Sequence, residues 1–346
     1  VTPKERFHAT IDRKSVDRPA CWLGIPDKKA LPGLYSHFGV QDLDGLKAAV
    51  GDDVQNFDLP YDSPEAKEIV LALNFAKERR IGSNEERSLS LPGVFEDAEA
   101  PGDFDAFDWP EPEAFIDPRE CRRRAEYTPR DTASVAILWS AHFQDACAAF
   151  GMETAFIKML TDPELFRALN DRIVDFYLRA NRVLYEAAAD RLDAVLIGND
   201  YGSQLGLMVS PAILREYVLP GTRRLVDQAK SYGVKVIHHS CGAVADLIGD
   251  IIDIGADCIH PMQALAKGME PESLARNFGG RVAFCGGVDA QQLLINGSAQ
   301  EVREAVRRLK RLFPTGLVVS PSHEAILADT KPENIRALFE TVREKT

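Results

Sequence analysis

From about residue 190 onward, short apolar runs alternate with stretches of helical period. The runs cover residues 192–197, 234–239, 257–260, 282–285 and 317–320. Helical patterns fill the intervals at 211–232, 244–254, 271–278 and 299–313, and a last one runs over 332–345. Pro211, Pro271 and Pro332 stand near helix starts, where a missing N–H costs nothing. Gly233, Gly255 and Gly280 stand where helices should stop. Such alternation reads as repeated βα units on a parallel sheet. Three earlier runs, at 20–25, 54–57 and 134–139, bring the strands to eight. The pattern therefore predicts an α/β fold, a (β/α)8 TIM barrel, built as a single domain over 1–346. An N-terminal extension precedes the first strand. A long loop around 96–130, rich in Pro, Asp, Glu and Arg, carries one helix. No Gly-x-Gly-x-x-Gly follows any strand, which argues against an open doubly wound sheet.

Composition narrows the function classes. Hydrophobic residues make up 45% and charged residues 27% of the 346, an ordinary globular balance. With 53 acidic against 41 basic side chains the formal charge is −12, and no basic stripe offers itself to nucleic acid. No apolar run reaches the ~18 residues of a membrane span, and no charged-then-apolar leader opens the chain. The expectation is a soluble, cytoplasmic protein with no membrane contact. The six cysteines are scattered, so a disulfide framework is not expected.

In a barrel of this kind the chemistry sits at the C-terminal ends of the strands. The last five strand ends gather four of the seven histidines and two of the six cysteines. The sharpest segment is His239-Ser240-Cys241. Residues two apart on an extended segment point the same way, so imidazole and thiol can converge on one ion. Zinc takes mixed N and S ligands, and a catalytic site uses three of them with one position open. His323 or Cys285, from other strand ends, would be the third. His238 alternates with His239 and should face the helices. His260 suits substrate contact or ligation. Asp200 is a base, an orienter of a metal-bound histidine, or a helix cap; Asp58 and Asp289 share this ambiguity.

Several segments together resemble the uroporphyrinogen decarboxylase superfamily. They are Asn199-Asp200-Tyr201-Gly202-Ser203-Gln204, Ser210-Pro211 with Arg215, Tyr217 and Pro220, and His239-Ser240-Cys241-Gly242. Cys285-Gly286-Gly287-Val288-Asp289, Asp329-Thr330-Lys331-Pro332-Glu333-Asn334, Glu5-Arg6-Phe7 and Asp17-Arg18-Pro19 fit as well. The resemblance spans nearly the whole chain and implies a (β/α)8 barrel. In the decarboxylases an arginine-bearing segment after the first strand holds the substrate carboxylates. Here that stretch reads Gly24-Ile25-Pro26-Asp27-Lys28-Lys29. The zinc methyltransferases of the superfamily carry His-x-Cys after a late strand and a third ligand, commonly Cys, before the final Pro-Glu-Asn. His239 and Cys241 match, His323 stands in about the place of the last cysteine, and Phe143-Gln144-Asp145-Ala146 and Gly151-Met152-Glu153 look like this branch.

The resemblance thus implies a zinc-dependent methyltransferase that moves a methyl group between a small substrate, a methyl ether or a thiol, and a separate corrinoid protein. Zn2+ would rest on His239 and Cys241, with His323 third and Cys285 in reserve. Asp200 and Asp58 would be catalytic acids, and Asn199, Tyr201, Gln204 and His260 substrate contacts. The methyl carrier, methylcobalamin or cob(I)alamin, would come on the partner protein, because one barrel uses up the chain. A homodimer is compatible with this reading. A cofactor-free decarboxylase is the alternative.

Overall fold

Each of the eight apolar runs becomes a parallel strand in the computed structural model, which describes residues 1–77 and 91–344. The strands are β1 (Ala20–Cys21), β2 (Val54–Asp58), β3 (Ala133–Trp139), β4 (Ala194–Gly198), β5 (Lys235–His239), β6 (Cys258–Met262), β7 (Ala283–Val288) and β8 (Leu317–Pro321). Their order is β1-β8-β7-β6-β5-β4-β3-β2, all parallel. With helices around them they form a nearly closed (β/α)8 barrel.

Strand parity sorts the side chains into two cores. Val135 and Ile137 of β3, Ala194 and Leu196 of β4, Ile237 of β5, Cys258 of β6 and Cys285 of β7 point inward and pack together. Their neighbours Ala136, Val195, Ile197, Val236, Ile259 and Phe284 point outward into the helix layer. This period of two decides which strand-end residues can reach the barrel mouth. The N-terminal extension is the helix Pro3–Ile11, capped by Thr2 and Glu5 in a capping box. Its Phe7 and Ile11 join the interior core and stopper the barrel.

Between β1 and β2 there is no ladder. Asp53 N–H donates to the Cys21 carbonyl at 3.1 Å. In return the Asp53 carboxylate accepts the Cys21 N–H at 2.9 Å, and that of Asp52 accepts the Leu23 N–H at 3.1 Å. Asp53 is fully buried and is also gripped by Arg6 at 2.8 Å and Arg18 at 2.7 Å. Side chains close the barrel where backbone does not.

The helical stretch expected as one piece at 211–232 is broken into three. A short turn, Pro211–Ile213, leads into a π segment, Leu214–Val218, and then into the helix Leu219–Ser231. Pro220 has no N–H to give and its ring crowds the carbonyl one turn back, so the chain widens there. The last helix runs over Pro332–Arg343; the final expected position, Lys345, lies outside the described residues. The loop at 96–130 holds the helix Pro118–Tyr127 and two 3-10 turns, Pro101–Ala106 and Pro112–Ala114. Phe95, Phe104, Phe107 and Trp109 pack edge to face or stacked, and Arg172 lies 4.6 Å over the Trp109 ring. Aromatic anchoring holds this loop, so its sequence shows no period. Among the described residues no helix is long and apolar enough to cross a membrane.

Candidate metal centre

Asp200, His239, Cys241, His323 and Glu324 meet at the mouth of the barrel. They arrive from the ends of β4, β5 and β8. His239 closes β5 with inward parity, and Cys241 follows two residues on with the same parity. The His239 Nε2 lies 3.4 Å from Cys241 Sγ and 3.3 Å from Asp200 Oδ1. The same Oδ1 accepts the Cys241 N–H at 2.8 Å. Donor atoms of Asp200, His239 and Cys241 lie within 4.8 Å of one another, and so do those of Cys241, His323 and Glu324. Cys241 belongs to both groups.

The surroundings hold the histidine firmly. His239 is almost wholly buried, and the edge of Trp139 meets its ring at 5.2 Å and 86°. Trp139 and Ser140 adopt φ of 54° and 57°, a left-handed bend that costs non-glycine residues about 1–3 kcal/mol each and swings the indole over the site. On the other side, His239 Nδ1 lies 2.9 Å from His260 Nδ1, and the His260 ring packs 5.2 Å from Trp22. Burial opposes charge on His239, but Cys241, Glu324 and Asp200 outweigh it and push its pKa well above the ordinary value. Burial also opposes charge on Asp200, yet the His239 ring and the Cys241 N–H pull its carboxyl far down. Burial raises the Cys241 thiol, with His239 opposing. Burial, with His239 next, drives His260 well below the usual imidazole range, so it is neutral.

Two residues given no role by sequence reasoning also act here. Gln144 clamps Asp200: its amide N–H donates to Asp200 Oδ2 at 3.2 Å and its Oε1 accepts the Asp200 N–H at 3.1 Å. Its signal was the polar segment opening the helix after β3. Glu324 Oε2 is shielded from solvent without a hydrogen bond, 3.5 Å from His323 Nδ1 and 4.0 Å from His239 Nδ1. Glu324 is carried into place by its backbone, whose carbonyl accepts the Ile25 N–H at 2.7 Å. The chain passes so close to Gly24 that a Cβ there would lie 2.4 Å from that carbonyl oxygen, at a φ of +82°.

The other expected residues are placed as follows. Cys285 points into the interior core beside Cys258, with its thiol pushed up by burial, and belongs to neither donor group among the described residues. Asn199 and Tyr201 share the outward parity of Val195 and Ile197, and both are buried in the wall. Asn199 Oδ1 accepts the Phe143 N–H at 2.7 Å, holding the start of the next helix. The Tyr201 hydroxyl meets Thr222 at 2.9 Å, and burial raises its pKa to about 12. Their polar atoms are spent on internal partners rather than turned to the mouth. His238 faces the helix layer as its alternation requires, stacked on Tyr201. Gln204 is exposed on the loop after β4, its carbonyl accepting the Lys267 N–H at 3.0 Å. Asp58 ends β2 with the inward parity of Val54, at the solvent-open rim of the mouth, where partial desolvation together with Glu68 raises its carboxyl. Asp289 caps the turn after β7, accepting the N–H groups of Gln291, Gln292 and Leu293.

Comparison with known proteins bears on this centre. The family model described as uroporphyrinogen decarboxylase (URO-D) matches residues 131–345, a span that contains Gln144, Asp200, His239, Cys241, His260, His323 and Glu324. A uroporphyrinogen decarboxylase of Streptomyces coelicolor is 28% identical over 194 residues, 54% of this chain and 49% of that protein. One of Cereibacter sphaeroides is 25% identical over 233 residues, 65% of this chain and 64% of that protein. The chain thus spans about half to two-thirds of the length of these curated relatives. A methyltransferase from Methanosarcina mazei has the same fold, with a TM-score of 0.67 at 17% identity, covering 99% of this chain and 98% of its own. With its matched span running from the start of β3 to the last helix, the chain belongs to the uroporphyrinogen decarboxylase (URO-D) family.

Proposed function

We propose that this chain is a zinc-dependent methyltransferase that moves a methyl group between a small substrate and a corrinoid carried by a separate protein. The observation that supports it most is the meeting of His239, Cys241 and the Asp200 carboxylate at the barrel mouth, with a second group, Cys241, His323 and Glu324, sharing the thiol. An imidazole nitrogen, a thiol and carboxylate oxygens are the donors zinc takes. The carboxylate oxygen of Glu324, buried beside them without a hydrogen bond, suits a cation as its missing partner.

His239 and Cys241 would hold the ion, with a third donor from the side chains around them. Bound there, zinc supplies Lewis-acid polarisation and lowers the pKa of a coordinated thiol, alcohol or water; the partner's corrinoid supplies the methyl carrier. The chain's own residues do the positioning. His260 faces His239 Nδ1 and so leaves Nε2 toward Cys241 and Asp200. Trp22 and Trp139 keep water from the two rings. Leu205, Leu265 and Leu327, on the loops after β4, β6 and β8, stand exposed and give a partner apolar contacts around the mouth. A single thiol among oxygen donors leaves more positive charge on the ion than a thiol-rich set, which favours an oxygen-bearing methyl donor such as a methyl ether.

A decarboxylase is the second reading, favoured by the names of the curated relatives. Against it, residues 24–29 after β1 contain no arginine, and their backbone is occupied in pairing with the β8 loop through Ile25 and Asp27. Metal analysis separates the two. The purified chain supplied with zinc should hold about one equivalent, and His239→Ala and Cys241→Ala should hold little. Zinc far below one equivalent in the parent chain overturns the methyltransferase reading. Mixing the loaded protein with a reduced corrinoid protein and methoxylated compounds should then raise methyl–cobalt absorption.

A further inference from the structure

We propose that Asp200 is itself a zinc ligand, so that the ion rests on His239 Nε2, Cys241 Sγ and Asp200 Oδ1 rather than on His323 or Cys285. This rests on the zinc reading above and names the ligand that reading leaves open. The argument is one of spacing. Around a tetrahedral zinc, with bonds of about 2.0–2.3 Å, ligand atoms stand roughly 3.3–3.7 Å apart. His239 Nε2 is 3.3 Å from Asp200 Oδ1 and 3.4 Å from Cys241 Sγ, so two of the three donor pairs already stand at that spacing and all three lie within 4.8 Å.

The rivals are otherwise engaged. Cys285 lies in the interior core among apolar side chains. His323 Nδ1 accepts the Ala325 N–H at 3.1 Å, and its side chain is 39% exposed. Asp200, in contrast, is supported as ligands are: Gln144 holds its other oxygen, and the Cys241 N–H fixes the coordinating one. The second donor group, Cys241 with His323 and Glu324, shares the thiol and then lies beside the ion.

Competition with a chromophoric chelator and cobalt(II) substitution test this without any turnover. Asp200→Asn should lose zinc affinity beyond the ~10–100-fold typical of outer-shell partners. Gln144→Ala should fall within that range, and Cys285→Ser and His323→Ala should stay within a few-fold of the parent. Asp200→Cys should keep the metal and add a second sulfur-to-cobalt charge-transfer contribution to the single one from Cys241, which a merely structural aspartate cannot produce. An Asp200→Asn chain that binds zinc within 100-fold of the parent, or an Asp200→Cys chain with an unchanged near-ultraviolet cobalt spectrum, overturns the assignment. A parent chain that takes up no zinc fails at the earlier step and sinks the methyltransferase reading with it.

Discussion

His239 and His260 face each other through their Nδ1 atoms at 2.9 Å, a contact between two buried rings brought level by the pairing of β5 with β6. With His260 neutral, its Nδ1 can accept the proton on His239 Nδ1, so that Nε2, once it gives up its own proton to make room for a metal, is the lone pair presented at the mouth. Replacing His260 with Ala removes that acceptor and frees the ring. Zinc affinity should fall about 10–100-fold while the far-ultraviolet spectrum stays as it was. Unchanged affinity in chelator competition would remove His260 from the site's design.

Gly24 permits the approach of the β8 loop. Gly24→Ala meets both a left-handed φ and the Glu324 carbonyl, and should cost about 1–3 kcal/mol in urea unfolding. Gly33, inside a helix with open space where a Cβ would go, is the control: Gly33→Ala should stabilise by about 0.5–1 kcal/mol. Equal effects at the two glycines would contradict this account.

Acid should weaken the fold through the helix layer. His142 is buried between Asn170 and Thr222, and burial lowers its pKa from 6.5 to about 4; burial takes His238 to about 3. The unfolded imidazoles take up protons near pH 6.5, before the folded ones do. Stability is therefore complete above that pH and declines as pH falls toward 4. The loss is on the order of 3 kcal/mol for His142. His142→Gln should show a shallower decline in unfolding free energy between pH 7 and 5; a parallel decline would count against the assignment.

A charge at the mouth should disturb the partner and not the metal. Leu205→Asp, on an exposed loop, should raise the KM for the corrinoid protein about tenfold, or ~1.4 kcal/mol, with zinc content unaltered. An unchanged KM would move the docking face elsewhere.

Asp53→Ala would leave Arg18 without its carboxylate partner and Arg6 with Asp17 alone. Removing one member of a buried charge cluster costs about 3–5 kcal/mol, which calorimetry or urea titration should register as a large loss of stability.

Much of this was legible in the chain. The eight apolar runs became the eight strands because parallel strands buried on both faces read as continuous hydrophobic stretches. His239, Cys241 and Asp200 were legible because strand ends in a barrel converge. Asn199 and Tyr201 misled, since polar residues after a strand look alike whichever way they point. Counting parity from Val195 and Ile197 would have turned both toward the helices. Gln144 and Glu324 were hidden for another reason: each depends on a contact between distant loops, and the Glu324 contact depends on the missing side chain of Gly24. The π segment before Pro220 shows the same limit, for a proline inside a periodic run can kink a helix without ending it.

The seam between β1 and β2 has an evolutionary consequence. Because carboxylates fasten β1 there, the stretch that leaves it is released from any strand ladder after only two residues. The backbone bonds of Ile25 and Asp27 to the β8 loop, and the bare Gly24 beneath Glu324, then fix its path, so that only the exposed side chains of Lys28 and Lys29 can be exchanged without disturbing a neighbour. A family that changes its substrate would find its most editable wall at these two positions, where this chain carries lysines and no arginine.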